Sequence, residues 1–562
     1  MTTHAEAAKN QPHPLYYLNN FRRVLAWVVE RYNDILTSEE RTFIATFNDA
    51  LPTQAQALLV RMVMRKGIYF RYSKLIYAEI GDQDDALAPL LQHGMIVDNP
   101  TLSLADAGRL LTAGEVGRLA THLGHTRRAT KAQLLSHLES VGTEARPWNE
   151  WYLSPDQVQH SDHKSDPLYE LTVMTICDRL RLMFFGNLHQ AWSTFVLEEL
   201  GLFRFETVPF DRSARPFNHG SEIDTYMALH ACREAFDAGV PASILLPQIP
   251  TVSASNTWLN TRRERLVYNL AYQLERSHDV ERALSLYNEL QYPGARLRRI
   301  RILEHQGRFN EALTLTNQAH QRPENEAESQ SIARILPRLC RKLGLPLPSL
   351  QPNGETEIIE LKAPALCRCV EEDAVQALHT DQSPVYFVEN SLINSLLGLL
   401  LWPAVFANVP GAFFNPYQAG PADLNQPDFQ RRRQDLINAQ LAKLDDGTYK
   451  SFMRSHFQEK QGMQSPFVYW ELLTDELLEL SLRCIPATHL KAMFTRILFD
   501  IPANRSGLPD LIQFWPCQYR YVLLEVKGPG DRLQDNQKRW LDYFSTHDIP
   551  AKVVMVGRPD IP

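Results

Sequence analysis

Tyr519 to Lys527 reads Tyr-Arg-Tyr-Val-Leu-Leu-Glu-Val-Lys, a β-branched, aromatic and aliphatic run stopped by Gly528-Pro529-Gly530. Such a run between turn residues is a buried strand. Alternation along it sets Glu525 and Lys527 on one face, with Val526 tucked behind. Upstream, Ser506-Gly-Leu-Pro-Asp510 sits at a turn leading into a second strand, Leu511 to Phe514. A hairpin between the two strands brings Asp510 beside Glu525. Asp535 to Phe544 then has helical spacing, with Gln537 and Trp540 on one face, and Val553 to Val556 is the next strand. The order is strand, strand, helix, strand.

These residue types suit one chemistry. Hard divalent cations such as Mg2+ or Mn2+ prefer oxygen ligands. Asp510 and Glu525 offer two carboxylates, and the Val526 carbonyl a third position. A metal held there polarises a phosphodiester and acidifies a bound water. Lys527 orients that water and offsets charge developing in the transition state, and Gln537 can reach back toward the metal. A Glu-x-Lys pair alone is a common exposed charge pair. Pro-Asp, an apolar strand and then Glu-x-Lys-Gly is far rarer, and it is the pattern of a PD-(D/E)xK nuclease.

The chain has 562 residues, too many for one core, so several domains are expected. Net charge is -7, from 58 Lys and Arg against 65 Asp and Glu, which excludes a protein coated in basic residues. A nucleic-acid surface must be a local groove on an acidic body. Seven dispersed cysteines suggest reduced thiols in a cytoplasmic protein, associated with the nucleoid if bacterial, and Cys367-Arg-Cys369 lacks a second pair for zinc. The N-terminus shows no signal peptide. Leu392 to Phe406 is interrupted by polar residues and Pro403 and is shorter than the ~20 residues a bilayer requires, so it is a buried helix and no membrane partner is expected.

Upstream the pattern is mostly helical. Residues 1–95 form a helical domain in which Arg65, Lys66 and Arg71 interleave with aromatics and could contact phosphates. Residues 96–150 read as two short helices around a basic turn, with Arg127, Arg128 and Lys131 there and Thr130 as N-cap. This resembles a SAP module, which binds the duplex backbone. Glu144 to Asp166 reads as a linker. Residues 151–375 form a helical region in which Asp279-to-Tyr287 and Arg308-to-Thr316 look alike. Their offset is near, though short of, the ~34-residue tetratricopeptide period. Between them Arg296, Arg298, Arg299 and Arg301 are either a solvated helix face or a phosphate-facing patch. Residues 376–562 form the α/β nuclease domain.

Gly-Leu-Pro-Asp510-Leu, then Leu-Glu525-Val-Lys527-Gly-Pro-Gly-Asp-Arg-Leu-x-x-x-Gln, resembles the viral-type replication-repair nuclease domain. Glu389-Asn-Ser with Leu397-Gly-Leu-Leu-Leu-Trp402, and Asn415-Pro-Tyr-Gln-Ala419, resemble the Fanconi-associated nuclease family, as does the order of the upstream segments. The resemblance implies that Glu389, a helix-opening acid, is a further metal ligand. It also implies cleavage near 5′ flaps and from 5′ ends of branched double-stranded DNA, in interstrand crosslink repair. A basic pocket for a terminal 5′ phosphate is implied as well, with Arg179, Arg181 and Arg505 as candidates. No cysteine precedes Cys177, so the ubiquitin-binding zinc finger of eukaryotic members is not expected, which points to a bacterial-type member. The alternatives are a restriction or mobile-element nuclease of the same fold, and a helical adaptor with a vestigial nuclease domain.

Overall fold

The computed structural model describes residues 14–122, 129–140, 144–152, 166–190, 192, 203–253, 256–347, 357–362 and 369–557. It divides into two compact units, Met1–Leu202 with Asn218–Ile223, and Phe203–Phe217 with Asp224–Pro562.

The first unit opens with helices Tyr16–Tyr32, Ser38–Ala45 and Thr53–Val63, followed by Gln83–Gln92. Thr37 and Glu40 close a capping box on the second of these, satisfying two amides at its start. Three short antiparallel strands make a small sheet with Leu168–Leu171 in the middle, between Tyr69–Arg71 and Ile96–Asp98. The strand Leu168–Leu171, from the expected 151–375 region, thus belongs to the sheet of the first unit. A strand distant in sequence completes the sheet, and helix Met174–Phe185 packs on Tyr16–Tyr32. Leu104–Leu110, Ala113–His122 and Lys131–Ser140 are the helices of the SAP-like segment, and Thr130 caps the last through a reciprocal pair with Gln133.

Two expectations fail here for one reason. The supposed linker includes Arg146–Pro147, paired with Thr101–Leu102, and helix Trp148–Tyr152, whose Trp148 and Trp151 are buried in the SAP-like core. Arg71 is not a free phosphate ligand. Its Nε donates to Asp166 at 2.6 Å, and Nη1 and Nη2 donate to Glu115 at 2.9 and 2.8 Å. Hydrophobicity and charge are legible residue by residue, but the partners that bury them lie far away in the chain.

In the second unit, helices α1 (Thr257–Arg276), α2 (Val280–Glu289), α3 (Ala295–His305), α4 (Phe309–Gln321) and α5 (Glu326–Leu343) each pack on the next. Ala283 and Ala312 are completely buried, as expected of small residues where helices approach closely. The arginines of α3 divide. Arg296 pairs with Glu328 and Arg298 with Glu275, so neither belongs to a phosphate-facing patch or a merely solvated face.

A five-stranded sheet follows, β1 (Glu357–Lys362), β2 (Val385–Phe387), β3 (Leu511–Trp515), β4 (Arg520–Lys527) and β5 (Ala551–Gly557), in the order β1-β5-β4-β3-β2. The first three strands of that order are mutually parallel, and β3 and β2 are antiparallel additions. The expected boundary at 375 falls too late, because β1 already belongs to the sheet. Its charged residues Glu357, Glu360 and Lys362 disguise it, and they suit an edge strand, where charge discourages pairing with other chains.

Helix α6 (Val370–Leu378) covers one face of the sheet with Val522, Leu524, Val526 and Val554. Helices α7 (Leu392–Val405), α8 (Ala487–Phe499) and α9 (Asp535–Thr546) cover the other, with Ile512, Phe514, Tyr521, Leu523 and Val553. Val526 thus faces away from the neighbours of Glu525, as the alternation requires. Helix α7 is buried almost throughout, and among the described residues no helix is long and apolar enough to cross a membrane.

The Arg71 junction yields a test. Arg71→Met leaves Glu115 and Asp166 without their cation, and breaking a buried pair from one side costs roughly 3 kcal/mol or more. The urea midpoint of the first unit should fall accordingly, and a midpoint within error of wild type would show that solvent already satisfies both carboxylates.

Candidate active site

The β3–β4 hairpin builds the site. Leu511 pairs with Leu524, so the same register sets Asp510 opposite Glu525. The amide of Val526 donates to Asp510 Oδ2 at 2.8 Å, fixing that side chain. On its other edge the Asp510 carbonyl accepts from Val388 at 2.8 Å, just beyond β2. Lys527 Nζ lies 2.7 Å from Glu525 Oε1, in the shared-face arrangement read from the sequence.

Pro509 has a specific place in this geometry. Phe514 donates to Pro384, and Asp510 accepts from Val388, so even-numbered residues of β3 face β2 and odd-numbered ones face β4. The pairing ends with Leu511 and Leu524, and continued two residues further it would bring Pro509 opposite Val526. Proline has no N–H, so Pro509 offers the Val526 carbonyl no donor.

Both carboxyls are pushed well above the ordinary range, first by burial. For Glu525 the Asp510 charge adds to this and Lys527 opposes it. For Asp510 the Val526 amide and Lys527 pull downward, while Glu389 and Glu371 push upward. Glu525 is 1% exposed, and its Oε1 makes an ionic contact with Lys527 without a directed hydrogen bond. Two buried carboxylates with a lone-pair oxygen to spare fit a hard divalent cation.

Glu389 lies in the exposed turn before α7 rather than in the helix, and its Oε1 accepts from Asn390 at 3.3 Å. Its charge reaches Asp510, but among the described residues no three His, Cys, Asp or Glu side chains are gathered into a metal cage. Gln537 does not reach the carboxylates through its Oε1, which accepts the Gln534 amide at 2.9 Å in a capping box on α9. Glu371, in the first turn of α6, went unnoticed in the sequence. Helix-opening acids are common, and nothing local indicates that α6 leans toward Asp510.

Asn390 adopts φ 50°, and its Oδ1 accepts the Leu508 amide at 3.1 Å, tying the Glu389 turn to the Asp510 loop. Gly507 has φ +83°, and a Cβ there would stand 2.8 Å from Asn536 on α9, so both conformation and space demand glycine.

The basic candidates fare differently. Arg65 and Lys66 are exposed, although Arg65 donates to the Lys74 carbonyl at 2.9 Å. Arg127 and Arg128 lie outside the described residues, and Lys131 donates to the Leu111 carbonyl at 2.7 Å. Arg179 is engaged by buried Glu40 at 2.5 Å, and Arg181 by Asp178 at 2.8 Å. Arg505 is half-buried, donating to the Pro466 carbonyl at 2.9 Å.

Comparison with known proteins decides the family. The chain is 49% identical over 548 residues to the Fanconi-associated nuclease 1 homolog of Pseudomonas aeruginosa, covering 97% of this chain and 96% of that one. The chain belongs to the Fanconi-associated nuclease family. Three family models match it: the FAN1 HTH domain at residues 15–97, the Fanconi anemia-associated nuclease SAP domain at 101–151, and the VRR-NUC domain at 445–558. The rice homolog from Oryza sativa subsp. japonica is 25% identical over 619 residues, spanning 97% of this chain and 63% of its own. A crystal structure of paFAN1 bound to 2nt 5′-flap DNA with a gap superposes with TM-score 0.82 at 48% identity, covering 98% of this chain and 100% of that one. Membership in this nuclease family, with its VRR-NUC domain, carries dependence on a divalent metal.

Pro509→Ala tests the role of the proline. It supplies an N–H to the Val526 carbonyl, a hydrogen bond worth about 1 kcal/mol. The divalent-metal concentration for half-maximal cleavage should then rise by roughly fivefold or more, with the fold intact by circular dichroism. An unchanged requirement would remove that carbonyl from the metal's ligands.

Proposed function

We propose that this chain is a structure-specific nuclease that uses Mg2+ or Mn2+ to hydrolyse phosphodiesters near 5′ flaps and from 5′ ends of branched duplex DNA. Its role on this reading is interstrand crosslink repair, acting on the chromosome in the cytoplasm. The observation that carries the reading is the buried Asp510–Glu525 pair with Lys527 on one hairpin, in a chain so similar to a protein solved with flap DNA.

Asp510, Glu525 and the Val526 carbonyl would hold the metal, with Glu389 closing on it from the α7 turn. When bound, the cation supplies Lewis-acid polarisation of the scissile phosphate and a more acidic water. Asp510 is held for this by the Val526 amide, and burial of both carboxylates leaves them little compensation other than a cation. Lys527 keeps its ammonium beside Glu525, where it can orient the attacking water and meet charge that grows on the phosphate. Gln537 would reach toward the metal from the first turn of α9 through its Nε2, its Oε1 being held by the Gln534 amide. Arg65, Lys66, Arg127, Arg128 and Lys131 are the residues for the duplex backbone in the first unit, and Arg505 is the nearest cation on the loop that carries Asp510. Arg71, Arg179 and Arg181 would reach DNA only by giving up their carboxylate partners.

End-labelled 5′-flap, fork and linear duplexes incubated with Mg2+ or Mn2+ test the reading. Wild type should cut the flap substrate in preference to the linear one. Asp510→Asn should abolish cleavage, Lys527→Ala should slow it on the order of 100-fold or more, and both should retain DNA binding. Undiminished cleavage by Asp510→Asn would sink this assignment, and equal cleavage of all three duplexes would remove the structure preference.

A further inference from the structure

The last repeat helix, α5, begins against the nuclease domain, and its contacts converge on one segment. The Glu326 amide donates to Asp500 Oδ2 at 3.1 Å. Glu326 Oε1 stands 3.2 Å from Arg496 Nη2 on α8, with both side chains nearly buried. Asn504, 1% exposed, donates to the Arg496 carbonyl at 2.8 Å and to Glu326 Oε1 at 3.4 Å. Asp500 and Asn504 bracket the short helix Ile501–Asn504, which runs straight into the 505–510 loop. The Arg496 guanidinium lies over the rings of Trp540 and Tyr543 on α9, 5.1 and 4.5 Å from their centroids. Trp540 in turn donates its indole N–H to the Ser506 carbonyl at 3.2 Å. One carboxylate of the repeat region therefore grips the Asp510 loop twice, through Asn504 at its base and through Arg496 and Trp540 at Ser506.

We infer that Glu326 is a positioning residue of the nuclease centre, through which the helical-repeat region sets the 505–510 loop and hence Asp510. Burial explains why a single carboxylate can act this way. Arg496 is largely buried, and Glu326 is the carboxylate in contact with its guanidinium. Without that charge the guanidinium has reason to leave the Trp540 ring for water or another anion. Ser506 would then lose its anchor, four residues before a carboxylate that must be held to within a fraction of an ångström. Gln330, one turn further along α5, provides an internal comparison. With its amide oxygen turned toward Arg539, it accepts from that guanidinium at 2.5 and 3.1 Å. It belongs to the same seam, but its hydrogen bonds run to Arg539 rather than to Ser506 or the 501–504 helix.

The inference rests on the active-site assignment above, and a steady-state comparison on the 5′-flap duplex in Mn2+ separates the two. Glu326→Gln keeps an acceptor for Asn504 but removes the charge. It should lower kcat on the order of tenfold, leave KM for DNA within about twofold, and raise the Mn2+ concentration for half-maximal rate. Gln330→Ala loosens the same seam and should keep wild-type kcat. If Glu326→Gln fails to fold by circular dichroism, Arg496→Lys carries the test, since it retains the charge but loses the planar stack, and the same split is expected. An unchanged kcat, or an equal loss in Gln330→Ala, overturns the positioning role. Asp510→Asn run alongside reports on the assignment itself. If it is dead while Glu326→Gln matches wild type, only the positioning role fails; if it is active, the assignment fails first.

Discussion

Two carboxylates held side by side away from water repel each other and lose their hydration, and only a framework that over-determines them can keep them there. Here that framework is the β3–β4 register. It sets Asp510 opposite Glu525, directs the Val526 amide to Asp510 and places Lys527 two residues on, where alternation returns it to the same face. The strain of this arrangement is electrostatic and is expressed in the raised proton affinity of both acids. Almost everything else in the nuclease domain keeps that hairpin in place. Helix α6 covers one face, α7, α8 and α9 cover the other, and β2 and β5 pair with the flanks.

The first turn of α7 shows how closely this support is organised. Asn394 and Ser395 are fully buried within an otherwise apolar helix. Asn394 donates both to the Asn390 carbonyl and to the Arg505 carbonyl, at 2.7 and 2.8 Å. Ser395 Oγ accepts the Tyr469 amide at 3.0 Å. With Asn390 holding Leu508, three ties fasten two separate segments to one helix end, and two of these ties fall on the Asp510 loop. Buried amides in a hydrophobic helix are costly unless satisfied, so their presence marks the place where the fold trades apolar packing for loop position.

What could be read from the chain follows from how local each signal is. The hairpin, Asp510, Glu525, Lys527 and the capping role of Thr130 depend on neighbours a few residues away, and alternation or cap spacing reveals them. Leu168–Leu171 pairs with strands some seventy and a hundred residues upstream, so nothing near it announces the sheet that places it in the first unit. The edge strand β1 looks like a polar connector because its charges suit an edge. Arginine is the hardest residue to interpret, since a cation beside aromatics looks the same whether it awaits a phosphate or already holds a carboxylate. Arg71 binds Glu115 and Asp166, Arg179 binds Glu40, and Arg296 binds Glu328. All four of these acids are buried or nearly so, which the sequence around each arginine does not disclose.

An acidic protein that must handle a polyanion faces a constraint that these pairings address. With more acids than bases overall, a large share of its arginines could neutralise internal carboxylates and leave no excess positive field. Committing arginines to buried acids locks the helical scaffold and keeps those side chains from binding phosphate indiscriminately, since each would have to abandon a carboxylate in a poorly solvated site. On the proposed function, attraction to DNA would then fall to cations at the surface, with Arg65 and Lys66 as candidates, and to the nuclease centre itself, where a divalent ion would reverse the local sign of charge. A metal bound between Asp510 and Glu525 would therefore relieve their mutual repulsion and also convert the most repulsive point for a phosphodiester into an attractive one. On this view catalytic competence and local affinity for the scissile phosphate arise from the same event, and the acidic body discourages unproductive binding elsewhere.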